Sequence, residues 1–503
     1  MKVELMDTTL RDGEQTSGVA FTDMEKLSIA KMLLDEVGVD RIEIASARVS
    51  PGEFEASRKI LSWAASKGCL DSVEILGFVD GGKSVDWIRD AGGKLMNLLC
   101  KGSLKHARIQ LKKTPEEHIS DIKGAVLFAA KSGIETNVYL EDWSNGMKES
   151  PEYVYLLLSS LRDLKIKRFM LPDTLGILTP DDTYRYCREV ISRFPDLKFD
   201  FHGHNDYDLS VANSLAAVKA GCSGVHATVN GLGERAGNTP LASLAAVLKD
   251  HLSCELSIRE NMLVKISKLV ETFAGLRISA NKPIVGDHVF TQTCGVHADG
   301  DSKGNLYYNN LMPERFGRVR KYALGKSSGK ASIKKNLEDL GIELDPGSMA
   351  KVTEMVVELG DKKKNITAED LPYIISDVLG SGTLKEKIKI RNYYICNAYG
   401  LKPVATLCVE IDGKTYEETA TGDGQYDAFM KALSKIYASI GKCLPTLTDY
   451  VVTIPPGGST EALVETVITW EHNKEFKTRG LDSDQTAAAI KATLKMLNLM
   501  EQF

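Results

Sequence analysis

Roughly the first 250 residues repeat one pattern eight times, in which a short β-rich apolar run is usually followed by an amphipathic segment. The runs are Val3–Met6, Arg41–Ala45, Val73–Phe78, Lys94–Leu99, Thr136–Leu140, Arg168–Leu171, Lys198–Phe201 and Gly224–Val229. Segments between them, such as Asp23–Val37 and Pro180–Phe194, space their apolar residues by three and four, as helices do. This alternation predicts a parallel sheet with right-handed crossovers. Eight units favour a closed (β/α)₈ barrel, with an open doubly wound sheet as the alternative.

Length, charge and cysteine content exclude several classes of protein. A chain of 503 residues is expected to hold more than one domain. Its net charge of -5, with interspersed signs, predicts neither nucleic-acid nor membrane binding. We expect no signal peptide, because the start MKVELMDTT lacks a basic region followed by an apolar core, and no membrane span, because no apolar run is long enough to cross a bilayer. The nine cysteines are scattered without a C-x-x-C pair, which favours free thiols in a reducing cytoplasm.

Parallel barrels carry their chemistry on the loops that follow the C-terminal ends of the strands. The motif DTTLRDGEQ follows the first predicted strand, and four later strands lead into YLEDWSNG, LPDTLG, FHGHND and NGLGERAGNTP. The candidate residues in these stretches are Arg11, Asp12, Glu141, Thr174, His202, His204 and Asn238. Because the strand ends share one rim of a barrel, we expect these side chains to converge there.

His202 and His204 are two residues apart on a strand, so both side chains leave the same face. Such a pair can bind one metal ion, although paired histidines also occur as hydrogen-bonded core residues. Asp12 and Asn238 would add oxygen ligands from the first and last strands, which are neighbours in a closed barrel. This mixed set suits a divalent Zn, Mn or Mg ion. We interpret GLGERAG (231–237) as a tight loop that delivers Asn238, because its spacing is not G-x-G-x-x-G.

Three motifs, DTTLRDGEQ, HGHND and NGLGERAGN, together resemble the homocitrate, isopropylmalate and citramalate synthase family of metal-dependent barrels. The resemblance extends over essentially the whole chain. It implies an acyltransferase that condenses acetyl-CoA with a 2-oxo acid and then hydrolyses the thioester. Related barrel lyases share the first two motifs, but the third motif and the long C-terminal extension favour the synthases.

The resemblance also implies a role for each candidate residue. Asp12, His202, His204 and Asn238 match the family's metal ligands. Arg11 matches the arginine that stabilises charge on the keto-acid oxygen, Thr174 the threonine that holds the keto-acid carboxylate, and Glu141 the acid implicated in deprotonating acetyl-CoA.

These roles agree with the chemistry of the reaction. A thioester methyl is a poor carbon acid, so its proton needs a positioned base and its enolate needs nearby positive charge. The guanidinium of Arg11 is always charged and donates in a planar fork, which suits an alkoxide beside a carboxylate. Structural alternatives are that Arg11 is a buried partner of Asp7 or Glu14, and that Thr174 is a helix cap.

Tyr139, two residues before Glu141, indicates which keto acid is used. Strand alternation places both side chains on one face, and the family's isopropylmalate and homocitrate synthases usually have a small residue at this position. Tyrosine would fill the space that a branched substituent needs, and Leu76 and Leu99 would complete an apolar wall. We therefore expect pyruvate as substrate and citramalate as product, with 2-oxoisovalerate as the alternative substrate. Tyr139 could instead be plain barrel core.

We predict a barrel domain over residues 1–275 and small helical linker subdomains over 276–382. In the family, a histidine in the linker, here His297 in GVHADG, is delivered into the active site of the neighbouring subunit, so the resemblance implies a homodimer. The downstream Tyr307, or alternatively Tyr308, is similarly placed near substrate. His297 could instead cap a turn of the linker.

Residues 383–503 contain an internal repeat. ATGDGQYDAFMKALSKIYA and GLDSDQTAAAIKATLKMLN are both amphipathic helices that follow strand-like runs, so two sheet-and-helix units should pack together. The family's C-terminal regulatory domain has this form and binds the end-product amino acid, which implies isoleucine here. Tyr426, Asp427 and Tyr450 resemble the effector contacts. A purely structural role in dimerisation is the alternative.

Two further functions remain open at this point. A barrel lyase that cleaves an acyl-CoA would share Asp12, His202 and His204 but would not need a duplicated C-terminal domain. An amino-acid sensor without activity should have lost metal or base residues, yet these are all present.

Overall fold

The computed structural model describes residues 1–339, 342–361, 366, 370–379, 387–453, 464–472 and 475–500. The chain separates into two compact units, Met1–Phe290 with Tyr308–Arg320, and Thr291–Tyr307 with Lys321–Phe503. Parts of the predicted linker, 276–290 and 308–320, thus belong to the first unit. The division of the chain after residues 275 and 382 stays a prediction.

The first unit is built on a closed barrel of eight parallel strands, as predicted. The strands are β1 (Glu4–Asp7), β2 (Arg41–Ser46), β3 (Val73–Phe78), β4 (Leu95–Lys101), β5 (Glu135–Glu141), β6 (Ile166–Asp173), β7 (Phe199–Gly203) and β8 (Gly224–Ala227). Each strand pairs with the next along the chain, and β8 pairs with β1 to close the ring. All eight predicted strands are therefore confirmed, and only their ends differ by one or two residues.

Helices surround the strands of the barrel. They are α1 (Asp23–Lys31), α2 (Pro51–Lys67), α3 (Lys83–Asp90), α4 (Leu104–Ile109), α5 (Pro115–Lys131), α6 (Trp143–Glu149), α7 (Pro151–Leu161), α8 (Pro180–Arg193), α9 (Ser210–Ala220), α10 (Leu241–Leu252) and α11 (Leu263–Ala274). Threonine side chains cap two of these helices, since Thr22 accepts from the backbone N–H of Glu25 and Thr179 from that of Asp182. Such caps satisfy N–H groups that a helix leaves unpaired at its start.

The inside of the barrel contains paired charges. Arg41 of β2 donates to Glu74 of β3 at 2.7 Å and also pairs with Asp200 of β7. Arg168 of β6 donates to Asp200 at 2.9 Å. Burial raises the pKa of Asp200, but Arg41, His226 and Arg168 together outweigh burial and hold it below its usual range. Because unpaired buried charges are costly, these partners fix one another in position. Asp200 precedes His202 by two residues on β7, so both side chains lie on one face of the strand. This charged network therefore lies deeper in the barrel than the C-terminal strand ends.

The second unit begins with short elements. They are β9 (Thr291–Gln292), α12 (Gly295–Ser302), β10 (Lys321–Tyr322), α13 (Lys330–Asp339), α14 (Pro346–Asp361) and α15 (Leu371–Leu379). The helices α13 to α15 share a small apolar cluster that includes Ile333, Val352, Val356 and Leu371. This region is helical, as the sequence predicts.

The C-terminal repeat is also confirmed. One half consists of β11 (Ile388–Cys396), β12 (Val404–Ile411), β13 (Lys414–Thr421) and α16 (Gln425–Ser439), and the other of β14 (Thr446–Thr453), β15 (Val464–Glu471), β16 (Glu475–Asp482) and α17 (Gln485–Met500). Each half is a three-stranded antiparallel sheet. One apolar core joins both halves, with Leu407 and Phe429 from the first and Trp470 and Met496 from the second.

No helix in the described parts of the chain is long and apolar enough to cross a membrane. The cysteines are all free thiols.

Candidate active site

The predicted site residues of the barrel lie at the C-terminal ends of its strands. Arg11 and Asp12 follow β1, Glu141 ends β5, Thr174 follows β6, His202 and His204 lie on or directly after β7, and Asn238 follows β8. Because β7, β8 and β1 are neighbours in the closed barrel, the segments that carry Asp12, the two histidines and Asn238 are adjacent.

Asp12, His202 and His204 form a buried group that can hold a metal ion. Asp12 Oδ2 lies 3.3 Å from His202 Nε2 and 4.0 Å from His204 Nε2, and the two Nε2 atoms are 3.4 Å apart. The histidines meet because strand alternation sends both imidazoles to one face. A carboxylate and two imidazole nitrogens are a ligand set that suits Zn²⁺ and other divalent ions.

The protonation states of this group also suit a cation. Burial raises the pKa of Asp12, but the charge of Arg11 and the neighbouring histidines outweigh burial and hold it below its usual range. Burial lowers the pKa of His204 to about 4. At neutral pH the aspartate is therefore ionised and His204 is neutral, which are the forms that bind metals.

Two buried oxygen atoms support the same conclusion. Asp12 Oδ1 and Asn238 Oδ1 have no hydrogen-bond partner within the residues that the structure describes. The amide Nδ2 of Asn238 donates to the backbone oxygen of Leu232 at 3.1 Å, and the Asn238 backbone forms a bridge with that of His204. Buried oxygens are rarely left unpaired, so a cation that these oxygens can bind fits this set of residues.

The loop Gly231–Gly237 is tight enough to position Asn238. Gly237 has a φ of 84°, and a Cβ there would lie 1.9 Å from the backbone oxygen of Gly231. A Cβ at Gly233 would lie 2.1 Å from Asn238 Nδ2. Only glycine fits both positions, which agrees with the interpretation of this stretch as a loop that delivers Asn238.

Arg11 is held by Glu43, a residue that the sequence analysis missed. Its Nε donates to Glu43 Oε2 at 2.6 Å, and its Nη1 lies 3.2 Å from Asp12 Oδ2. Glu43 also accepts from Thr8 Oγ1 at 2.7 Å and from Asn97 Nδ2 at 2.8 Å. The carboxylate partners are thus Glu43 and Asp12, in place of the alternatives Asp7 and Glu14. The sequence did contain a signal for Glu43, because it is a charged residue in the middle of the apolar strand RIEIAS.

Thr174 is not a helix cap. Its Oγ1 accepts a hydrogen bond from the backbone N–H of Asp142 at 2.8 Å. That contact uses a lone pair and leaves the hydroxyl proton available for a ligand oxygen. Asp142 itself has a φ of 64°, and its carboxylate lies 3.4 Å from His106 Nε2.

Glu141 forms an ion pair with Lys101 at the end of β4. The side chains are 26% and 12% exposed, respectively, so both reach the rim. Lys101 is the second residue that the sequence analysis missed, although a lysine that ends an apolar strand, as in LLCKG, is a visible signal.

Tyr139 lies inside the barrel and is 2% exposed. It belongs to an apolar cluster of Met6, Leu76, Tyr139 and Met170, with Leu99 packed against it. Its ring contacts the edge of His202 at a centroid distance of 5.9 Å, and its hydroxyl lies 3.0 Å from His226 Nδ1. The structure thus brings Tyr139 together with the predicted wall residues and next to a candidate metal ligand. His226 is the third residue that was missed.

The predicted linker residues lie in the second unit. The rings of His297, on α12, and Tyr307 lie against each other with a centroid distance of 4.0 Å and a tilt of 30°. Tyr308 belongs to the first unit, where the guanidinium of Arg320 covers its ring at 3.9 Å. Tyr307 is therefore the tyrosine that accompanies His297.

The predicted effector residues line one cavity of about 660 Å³ in the C-terminal domain. Its lining includes Tyr426 and Asp427 from the first half of the repeat, and Tyr450 and Gln485 from the second. The rings of Tyr426 and Tyr450 are 5.4 Å apart. Burial raises the pKa of Tyr426, whose hydroxyl lies 2.7 Å from Thr493 Oγ1. The cavity therefore opens where the two halves meet.

Three known protein families match successive parts of the chain. Residues 2–270 match the HMGL-like family, 284–364 the homocitrate synthase post-HMGL domain-like family, and 365–501 the LeuA allosteric (dimerisation) domain.

Relatives with two different names match nearly the whole chain. A probable 2-isopropylmalate synthase of Methanopyrus kandleri is 36% identical over 99% of this chain and 98% of its own length. In Methanocaldococcus jannaschii, a 2-isopropylmalate synthase and an (R)-citramalate synthase are each 33% identical over 99% of this chain, and over 94% and 100% of their own lengths. The chain belongs to the homocitrate, isopropylmalate and citramalate synthase family and is an acyltransferase of that family.

Proposed function

We propose that the protein is a citramalate synthase, which condenses acetyl-CoA with pyruvate and hydrolyses the thioester to give (R)-citramalate and CoA. This reaction would supply isoleucine biosynthesis by the pyruvate route. The observation that carries the proposal is the apolar wall of Tyr139, Leu76 and Leu99 beside His202. Since relatives of similar identity have both synthase names, the choice of keto acid depends on this wall.

Such a wall would leave room for a small substituent only. Tyr139 is directly opposite Leu99 in the pairing of β5 with β4, and Leu76 is 4% exposed. The isopropyl group of 2-oxoisovalerate would have to displace these closely packed side chains, whereas the methyl group of pyruvate would contact them. Overpacking a closely filled apolar region is unfavourable, so selection against the larger substrate is steric.

Asp12, His202, His204 and Asn238 would hold one divalent ion, for which Zn, Mn and Mg are the candidates. Such an ion supplies Lewis-acid polarisation of the 2-oxo group. Arg11, held in place by Glu43, would stabilise negative charge that develops on the keto-acid oxygen. The hydroxyl proton of Thr174 would donate to the keto-acid carboxylate.

Glu141 would take the proton from the methyl group of acetyl-CoA. Its partial exposure at the end of β5 suits a base that must reach a bound thioester. A Glu141→Gln variant should lose turnover while it still binds pyruvate.

We further propose a homodimer in which His297 and Tyr307 act in the neighbouring subunit's active site. The match of residues 365–501 to a dimerisation domain supports the dimer, and the contact between the two rings supports a joint role for them. The cavity that Tyr426, Asp427 and Tyr450 line would bind isoleucine as feedback inhibitor, because it offers a charged group for an amino acid and aromatic surface for its side chain.

A panel of 2-oxo acids with acetyl-CoA, followed by release of the free thiol, tests the proposal. We expect the kcat/KM for pyruvate to exceed that for 2-oxoisovalerate by several orders of magnitude. A preference for 2-oxoisovalerate would instead make the protein a 2-isopropylmalate synthase, which is the name given to the Methanopyrus kandleri relative that is 36% identical.

A further inference from the structure

Lys101 and Glu141 lie next to the proposed keto-acid pocket, toward the C-terminal ends of β4 and β5. The two residues are partners in the pairing of β4 with β5, and two positions earlier Leu99 and Tyr139 are partners in the same way. Residues two apart on a strand share a face. The ion pair therefore lies nearer to the C-terminal ends of β4 and β5 than the apolar wall does. Acetyl-CoA would have to approach pyruvate from this open end of the barrel.

The proposed reaction needs a cation at this place. When a base removes a methyl proton from a thioester, negative charge moves to the carbonyl oxygen, and a nearby positive charge lowers the barrier. Arg11 is bound to Glu43 and Asp12. Lys101 is the cation that contacts Glu141 itself, and it is 12% exposed, so its charge is only partly hydrated.

On the basis of the proposed function, we infer that Lys101 is a catalytic residue that binds the thioester carbonyl oxygen and stabilises the enolate. The Glu141 carboxylate takes a proton from the methyl carbon, and the C–H electron pair becomes the C=C bond of the enolate. The carbonyl π pair moves to the oxygen, which accepts a hydrogen bond from the Lys101 ammonium. The enolate C=C pair then forms the new C–C bond with C2 of pyruvate, the thioester C=O re-forms, and the π pair of the C2=O bond moves to the keto oxygen, whose negative charge Arg11 stabilises. An ammonium has three N–H donors, so Lys101 can contact Glu141 and the oxygen together.

A purely structural ion pair is the competing explanation. It would join β4 to β5 and orient Glu141 without contact to the substrate. A structural pair needs only a hydrogen-bond donor to Glu141, so Lys101→Gln would keep the rate of exchange and turnover, whereas an enolate-binding cation needs its charge and Lys101→Gln would lose both, as Lys101→Met does.

The test compares Lys101→Met, which removes the charge, with Lys101→Arg, which keeps it. Lys105→Met is the matched control, since Lys105 is exposed on α4. We expect Lys101→Met to lower kcat by roughly 100- to 1,000-fold, as the loss of one oxyanion donor does elsewhere. The dissociation constant of pyruvate, measured by calorimetry, should hardly change, which also shows that the variant is folded. Lys101→Arg should recover much of the rate, and Lys105→Met should match the wild type.

Exchange of the acetyl-CoA methyl protons with D₂O isolates the enolisation step. It is measured by NMR with oxamate, an analogue of pyruvate that cannot condense. Exchange should be lost in both Lys101→Met and Glu141→Gln and retained in Lys105→Met. Normal exchange and turnover in Lys101→Met, with an active wild type, would overturn the role of Lys101 alone. A wild type that releases no thiol with any keto acid would overturn the proposed function and this inference with it.

Discussion

The interior of the barrel and the core of the C-terminal domain are built differently. Inside the barrel, Arg41, Glu74 and Asp200 are buried and joined by charged hydrogen bonds. The C-terminal core is mainly apolar, with Phe429 and Trp470 fully buried, and a cavity with tyrosine and carboxylate groups in its lining lies where the two halves meet. Directional bonds fix side chains in place, as catalysis requires. An apolar core joins two halves without fixing the lining of the cavity between them, which suits a site that responds to a ligand.

The largest effect of a substitution on activity is expected in the barrel, at the candidate metal group. We expect His202→Ala to lower kcat by roughly 1,000-fold or more, because a Lewis acid contributes several kcal/mol and each 1.4 kcal/mol is a factor of ten. Thiol release and the metal content of the purified protein are the measurements. His251→Ala, at an exposed position on α10, should leave both unchanged. Full metal content and full activity in His202→Ala would mean that this group of the barrel does not hold a catalytic metal.

The next largest effect concerns stability and pH. Burial raises the pKa of Asp7 to about 7, from an ordinary value of 3.8. Between pH 4 and 7 the folded state thus holds more protons than the unfolded state, so the free energy of unfolding falls as pH rises through this window. Asp7→Asn should remove this fall, which is worth roughly 4 kcal/mol at most.

Urea unfolding at pH 5 and pH 8 measures the effect of Asp7→Asn. The exposed Asp71→Asn is the control and should keep the wild-type dependence. An identical pH dependence in Asp7→Asn and wild type would mean that Asp7 is ionised in the folded barrel.

A smaller effect is expected at the apolar wall. Tyr139→Ser should lower the preference for pyruvate over 2-oxoisovalerate by roughly 10- to 200-fold, since a methylene group is worth about 1–3 kcal/mol in such pockets. Tyr139→Phe keeps the ring and removes only the contact with His226, so it should keep the preference. The measurement is the ratio of kcat/KM for pyruvate to kcat/KM for 2-oxoisovalerate in each variant. An unchanged ratio in Tyr139→Ser would make Tyr139 a core residue without influence on specificity.

The smallest effect is expected in the C-terminal cavity. Tyr450→Ala should weaken inhibition by isoleucine roughly tenfold, within the usual range of allosteric coupling energies. Val451→Ala is a matched control, because the neighbouring residue of β14 points to the other face of the sheet. Inhibition constants measured with both variants test this assignment, and equal values would remove Tyr450 from the effector site.

The sequence predicted most of the residues that stand at strand ends and missed those whose role depends on a partner from a neighbouring strand. Arg11, Asp12 and the two histidines were found because polar groups directly after apolar runs are conspicuous. Tyr139 was found because alternation relates it to Glu141. Lys101 was missed because its link to Glu141 depends on the register of β4 against β5.

Glu43 and His226 were missed for a second reason. Both lie within strands, one step deeper than the rim, and each is meaningful only through a partner from another strand. Glu43 binds Arg11 from β2, and His226 reaches Tyr139 from β8. A single strand's pattern does not show how a closed barrel staggers its strands, so such partners become visible only in three dimensions.

Because β8 pairs with β1, the proposed metal would also help to hold the barrel closed. Asp12 follows the first strand and Asn238 follows the last, so an ion bound to both would act as a clasp across the seam of the ring. No fragment that ends before β8 could assemble the complete set of ligands. Chelation should consequently loosen β1 and β8 before any other strand, and hydrogen exchange along the seam would report the clasp opening.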